Sequence, residues 1–114
     1  MWFVTVTVTG DAVEPELVRL ALVRLADERP FMVSARYRAD RAEVRYWDES
    51  DGVAVAAAQG LRLWDDHRRS AGLPPWRVVG LEVVDREAAR RRWEHEEHPS
   101  VLVLGEVRPM DPEG

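Results

Sequence analysis

The segment Glu94-His95-Glu96-Glu97-His98 sets two imidazoles at i, i+3 among carboxylates, a spacing that lets His95 and His98 share a divalent cation from one helix face. Metal sites of this kind draw further ligands from elsewhere in the chain, and His67 is the only imidazole left to serve. The C-terminal end of a charged helix, where imidazolium interacts favourably with the dipole, accounts for both histidines without a metal. His95 and His98 are therefore metal candidates, no metal site is assigned, and no cofactor is expected. His67 follows Asp65 and Asp66 and lies three residues beyond Trp64. It reads as a partly buried histidine near a helix end, because no oriented partner or nucleophile accompanies it. No catalytic residue is assigned.

A second set of residues combines cations with aromatic surface. Arg36, Arg38, Arg45 and Trp47 supply guanidinium donors and an indole platform, the chemistry that holds an anion or a nucleobase. An RNA-recognition module is the obvious comparison, but its strand signature of a basic residue, Gly and spaced aromatics is missing from Ala42-Glu43-Val44-Arg45-Tyr46-Trp47. Glu43 works against phosphate, and the formal charge of −5 works against nucleic acid and anionic membrane alike. Neither is the expected partner.

Five tryptophans are many for 114 residues, and large aromatics dominate core and interface energies. Trp64 reads as core. Trp47, on a sheet face, and Trp93, on an otherwise charged helix, read as interface residues.

Composition removes several chemistries outright. With no cysteine there is no disulfide framework, thiolate nucleophile or thiolate-held metal. All sixteen basic residues are Arg and none is Lys, so a Schiff-base lysine and a phosphate-loop lysine are absent. That bias reads as the codon composition of a high-GC bacterium. No run approaches the roughly 18 to 20 apolar residues of a membrane span, and no secretory leader is legible, so a cytoplasmic protein is expected.

The elements that must position these residues emerge from periodicity. Val4, Val6 and Val8 alternate with Phe3, Thr5, Thr7 and Thr9, the pattern of a half-buried strand. From Pro15 to Glu28, Val18, Ala21, Leu22 and Leu25 recur at helical spacing. Phe31 to Arg38 alternates again, with Phe31, Val33, Ala35 and Tyr37 opposite Met32, Ser34, Arg36 and Arg38. A short polar connection leads to a strand from Ala42 to Asp48, making a hairpin. Ser50 is placed to cap a second helix with the stripe Val53, Ala56, Ala57, Gly60, Leu61 and Trp64, stopped by Gly72. Arg77 to Asp85 returns to strand with Val79, Leu81 and Val83 facing one way, and Arg86 to Glu97 reads as a third helix docked by Trp93. The apolar run Val101 to Leu104 suggests an edge strand or a partner-binding segment, and fraying is expected from Pro109.

Two βαβ halves joined by a hairpin give an α+β domain resembling the ferredoxin-like split arrangement, βαββαβ, with two helices on one face of an antiparallel sheet, a C-terminal helix and an extra edge strand. The domain is expected over 1–98, with a partly frayed C-terminal extension over 99–114. Val4, Val6, Val8, Val44, Tyr46, Val79 and Leu81 should face the helices, and Phe3, Thr5, Thr7, Arg36, Arg38, Arg45 and Trp47 the open side.

Missing catalytic signatures and unexplained apolar surface lead to a non-catalytic interaction or assembly domain, homodimeric through the open sheet face or the C-terminal segment. The alternative is a dimeric α+β barrel enzyme or small-ligand-binding protein, as in some cofactor-free monooxygenases. A pocket between sheets would then draw on Tyr37, Tyr46, Trp47, His67 and the sheet-face arginines.

Overall fold

The computed structural model describes residues 1–29, 32–95 and 106–110, of which 93–95 by their backbone only. Elements run in the order β1 (Trp2–Thr9), α1 (Pro15–Glu28), β2 (Met32–Arg38), β3 (Arg41–Asp48), α2 (Val53–Ala71), β4 (Arg77–Asp85), α3 (Arg86–His95) and β5 (Glu106–Pro109). The strands form one mixed sheet ordered β4-β1-β3-β2-β5, antiparallel throughout except where β5 joins β2 in parallel. The class is α+β, with three helices among the described residues.

Alternation along β1 drives Val4, Val6 and Val8 to one side of the sheet, where all three are fully buried. They meet Val18, Ala21, Leu22 and Leu25 of α1 and Ala56, Leu63 and Trp64 of α2 in the main core. Gly60 sets the distance between α2 and the sheet. A Cβ there would lie 2.8 Å from Leu81 Cδ1 and 3.3 Å from Val4 Cγ1. Beneath it lies Tyr46, whose hydroxyl is buried and has no hydrogen-bond partner among the described residues.

The far end of this core is closed by two stacked indoles, Trp64 and Trp76, with ring centroids 6.0 Å apart and planes 5° from parallel. Each buries its polar tip without loss: Trp64 Nε1 donates to the Pro74 carbonyl and Trp76 Nε1 to that of Asp11, both at 2.8 Å. Trp76 lies against Gly10, where any Cβ would intrude to 2.2 Å of its ring. Gly72 ends α2 in the left-handed conformation at φ 74°, the stop expected of a glycine at that position.

Several expectations are corrected. Val79 is exposed, because a bulge lets β4 advance two residues, Val78 to Gly80, while β1 steps from Val8 to Thr7. Val78 takes its place against the core. A second bulge in β2, where Met32 pairs with Tyr46 and Ser34 with Arg45, turns Met32 into the main core and Val33 to the opposite side. Phe31 lies outside the described residues.

On α2 the buried stripe is Ala56, Gly60, Leu63, Trp64 and Ala71, while Val53 and Leu61 are exposed. Ser50 does not cap α2. Its hydroxyl instead donates to the buried carboxylate of Asp48, which also accepts the Ser50 backbone N–H at 2.7 Å, and Gly52 holds the N-cap position.

The sheet is mixed because β5 completes the edge of β2, and Pro109 is paired there rather than frayed, with the Met110 N–H donating to the Tyr37 carbonyl at 2.6 Å. Val101 to Leu104 lie outside the described residues.

The tight passage of α2 over Gly60 predicts that Gly60→Ala lowers stability by at least about 1 kcal/mol in urea unfolding, although alanine is the better helix former by about 1 kcal/mol. Burial raises the Tyr46 phenol from 10.0 to about 12. Its contribution to stability is therefore full below about pH 10, where the unfolded phenol is also neutral, and is lost as pH rises toward about 12. Tyr46→Phe should raise stability by about 1 kcal/mol at neutral pH and abolish that alkaline loss, as measured by unfolding at neutral pH and at about pH 11.

Candidate functional site

Residues of odd number in β1 and β3 point away from α1 and α2, and the ladder brings them into rows across the sheet. Phe3 sits between Trp47 and Val84, and this row forms a second, small core with Val33 and Ala89 of α3. The third helix thus packs on the opposite face from α1 and α2, with Ala89 over Phe3. Its first turn is held by Asp85, whose carboxylate accepts the Ala88 N–H at 2.7 Å. Ala89, 1% exposed, is the α3 residue that joins this small core among the described side chains. Sequence pattern alone assigns that part to Trp93, whose side chain is outside the described residues.

The next two rows are polar. One reads Glu82, Thr5, Arg45, Ser34 and Glu106 across β4, β1, β3, β2 and β5. The other reads Gly80, Thr7, Glu43, Arg36 and Arg108. Together they carry three arginines and three glutamates. Arg45 lies over the Phe3 ring, its guanidinium carbon 5.3 Å from the centroid, and shields its Nε from solvent without a hydrogen-bond partner among the described residues. Glu106 has one oxygen 2.6 Å from Arg108 and the other buried and likewise unpaired. Arg92 of α3 reaches down to Glu82.

The expected site residues are only partly united. Arg45 and Trp47 flank Phe3, which makes an edge-tilted contact with Trp47 at 5.0 Å. Arg36 lies one row away, opposite Glu43. Arg38 stands at the hairpin end, paired with Asp40 at 3.0 Å, and takes no part. His95 is described by its backbone alone and His98 lies outside the described residues.

The pocket set of the barrel alternative is divided between both sides of the sheet: Tyr37 and Tyr46 belong to the main core. His67 joins α2 to α1, its Nδ1 2.8 Å from Glu28 Oε1, and Ser70 donates to the same oxygen at 2.6 Å. The Ser70 hydroxyl first, and then His67, hold the Glu28 carboxyl below its ordinary range.

Sequence reasoning passed over Arg86 and Arg90. With Met1 and Trp47 they line a recess of about 450 Å³ between α3 and the sheet. Their i, i+4 spacing on a charged helix was the available signal. It is indistinguishable from a solvated face until α3 is placed.

Residues 1–100 match the family model described as Domain of unknown function (DUF8830). The chain belongs to this family. The match takes in the elements from β1 to α3, both polar rows up to β2 and the described residues of the recess, while β5 lies beyond it. No curated protein and no solved structure matches the chain. Among the described residues, no helix is long and apolar enough to cross a membrane.

If Ala89 seats α3, a carboxylate there must be desolvated against Phe3, Val33 and Trp47. Ala89→Glu is expected to cost about 2 to 3 kcal/mol and to open Trp47 to solvent. Acrylamide quenching of tryptophan emission, compared with the wild type, checks the second effect.

Proposed function

We propose that this domain is a non-catalytic assembly module that pairs with a second copy of itself through the two polar rows of its sheet. The observation that carries this reading is the internal complementarity of the rows. Along each strand the two rows are two residues apart, and Arg45 is matched with Glu43, Glu106 with Arg108, and Thr5 with Thr7. A two-fold axis running across the strands, midway between the rows, lays one row of the first copy on the other row of the second. Arg45 then faces Glu43 of the second copy and Glu106 faces Arg108, each twice by symmetry.

A balance of three arginines and three glutamates suits a partner of the same pattern better than a polyanion, whose binding requires a surplus of positive charge. Among the described residues the apolar contact of α3 with the sheet is at the Phe3 end, beside the rows that a docked copy would meet. Within the same reading, the strand order β4-β1-β3-β2 with α1 and α2 on one face supports a ferredoxin-like unit, to which α3 and β5 are additions.

Glu43→Arg makes both positions on β3 cationic, and Arg45→Glu makes both anionic. Each variant alone should raise the dissociation constant of the dimer by more than about tenfold. Mixed in equal amounts they should re-form a dimer of twice 13.1 kDa by light scattering. A wild type that stays monomeric across the concentration series, or variants that dimerise as well as it does, would sink the proposal.

A further inference from the structure

We infer that the step Asp51-Gly52 is a site of spontaneous covalent modification, at which the Asp51 side chain closes on the Gly52 backbone nitrogen and reopens as isoaspartate. The inference does not depend on self-association, because this step leads into α2, which packs on the face of the sheet opposite the polar rows.

The reaction is an acyl transfer within the chain. The Gly52 nitrogen attacks Cγ of the protonated Asp51 carboxyl, an N–Cγ bond forms, the Cγ–OH bond breaks, and the hydroxyl leaves with the amide proton as water. Water then adds to one carbonyl of the imide ring. Breaking the N–Cγ bond restores aspartate, whereas breaking the original peptide bond leaves the chain running through Cβ and Cγ, with the Asp51 α-carboxylate free. Water alone leaves and enters, so no oxidant, reductant or cofactor is required.

The sequence offers this chemistry once. There is no Asn in the chain, and Asp51 is the one aspartate followed by glycine. A side chain on the following residue would crowd the attacking nitrogen, and glycine has none. Because the two groups belong to adjacent residues, the attack has the high effective concentration of an intramolecular reaction.

The structure leaves both reacting groups unencumbered. Asp51 is exposed, and among the described residues its carboxylate makes no hydrogen bond or ion pair. The Gly52 N–H has no acceptor among them either. A Cβ placed on Gly52 would meet nothing within 4 Å, so the space around the nitrogen is open. Other aspartates show the contrast: Asp48 is buried and held by Ser50 and Arg29, and Asp85 accepts the Ala88 N–H.

Modification here has a structural consequence, because the step lies between two anchors. On one side Ser50 is tied to Asp48, and its carbonyl accepts Trp2 Nε1 at 3.0 Å. On the other, Gly52 caps α2, its carbonyl accepting the Ala56 N–H at 3.1 Å. An added backbone carbon between them displaces one anchor or the other, which weakens the seating of α2.

The test ages the full chain at physiological temperature and neutral pH and locates isoaspartate by peptide mapping, with enzymatic methylation of isoaspartyl carboxylates as the total count. Isoaspartate should form at position 51 at least about tenfold faster than at any other aspartate. Gly52→Ala is compatible with the extended backbone at φ −152° and the open space beside it. Asp51→Glu keeps the charge but has to close a larger ring. Each variant should slow formation at least about tenfold while the circular dichroism spectrum stays that of the wild type. The modified fraction, separated by chromatography, should unfold at lower urea than the unmodified one. No isoaspartate at position 51, equal formation at other aspartates, or undiminished formation in both variants would each overturn the assignment, and an unchanged urea midpoint would overturn its consequence for α2.

Discussion

Close approach of α2 to the centre of the sheet is the contact on which the rest of the molecule depends. It is possible because Gly60 has no side chain: a single carbon there collides with Leu81 and crowds Val4, residues of two different strands. With α2 down on β1 and β4, Trp64 reaches Trp76, and the stacked pair closes the core over Gly10. Packing at this density leaves little room for adjustment, so a glycine that weakens the helix in isolation is tolerated for the tertiary contact it permits.

The same compression has a polar cost. Tyr46 is fully buried below Gly60, and its hydroxyl has no hydrogen-bond partner among the described residues. Its ring accepts Arg29 at 4.5 Å, and Arg29 in turn approaches the buried Asp48 at 3.5 Å. Asp48 is also bonded by Ser50, whose carbonyl accepts Trp2 Nε1 at 3.0 Å. The junction between β3 and α2 is therefore a small polar knot under the main core. It positions structure, and the other face of the sheet carries the groups proposed to recognise partners.

That division of labour arises because β1 is buried on both sides. Its valines meet α1 and α2, and Phe3 meets α3. Beyond Phe3 the same face carries charged and hydroxyl rows. A second copy with the complementary pattern can cover them. Trp47 borders both the small core and the recess.

Much of this was legible in the sequence, for a definite reason. Period-two alternation in β1 and β3 and the helical stripe of α1 report burial directly, since each position's partner side is decided by local geometry. Val18, Ala21, Leu22 and Leu25 are buried as their spacing required, and Arg45 and Trp47 lie on the face away from α1 and α2 because Val44 and Tyr46 are turned toward them. The absence of cysteine and lysine limited the chemistry without any fold at all. Other features were settled only by tertiary packing. Each bulge inserts one residue into a strand and moves the residues after it to the other side, and nothing in the apolar runs Met32-Val33 or Val78-Val79 marks which residue is the extra one. On α2, the choice of Leu63 over Leu61 depends on the angle at which the helix crosses β4. The side of the sheet taken by α3 shows in the burial against Phe3 of Ala89, a residue too small to register in a charged segment. Local periodicity determined which residues share a face. Only the assembled sheet decided what each face meets, because register and helix placement are set by contacts between residues far apart in the chain.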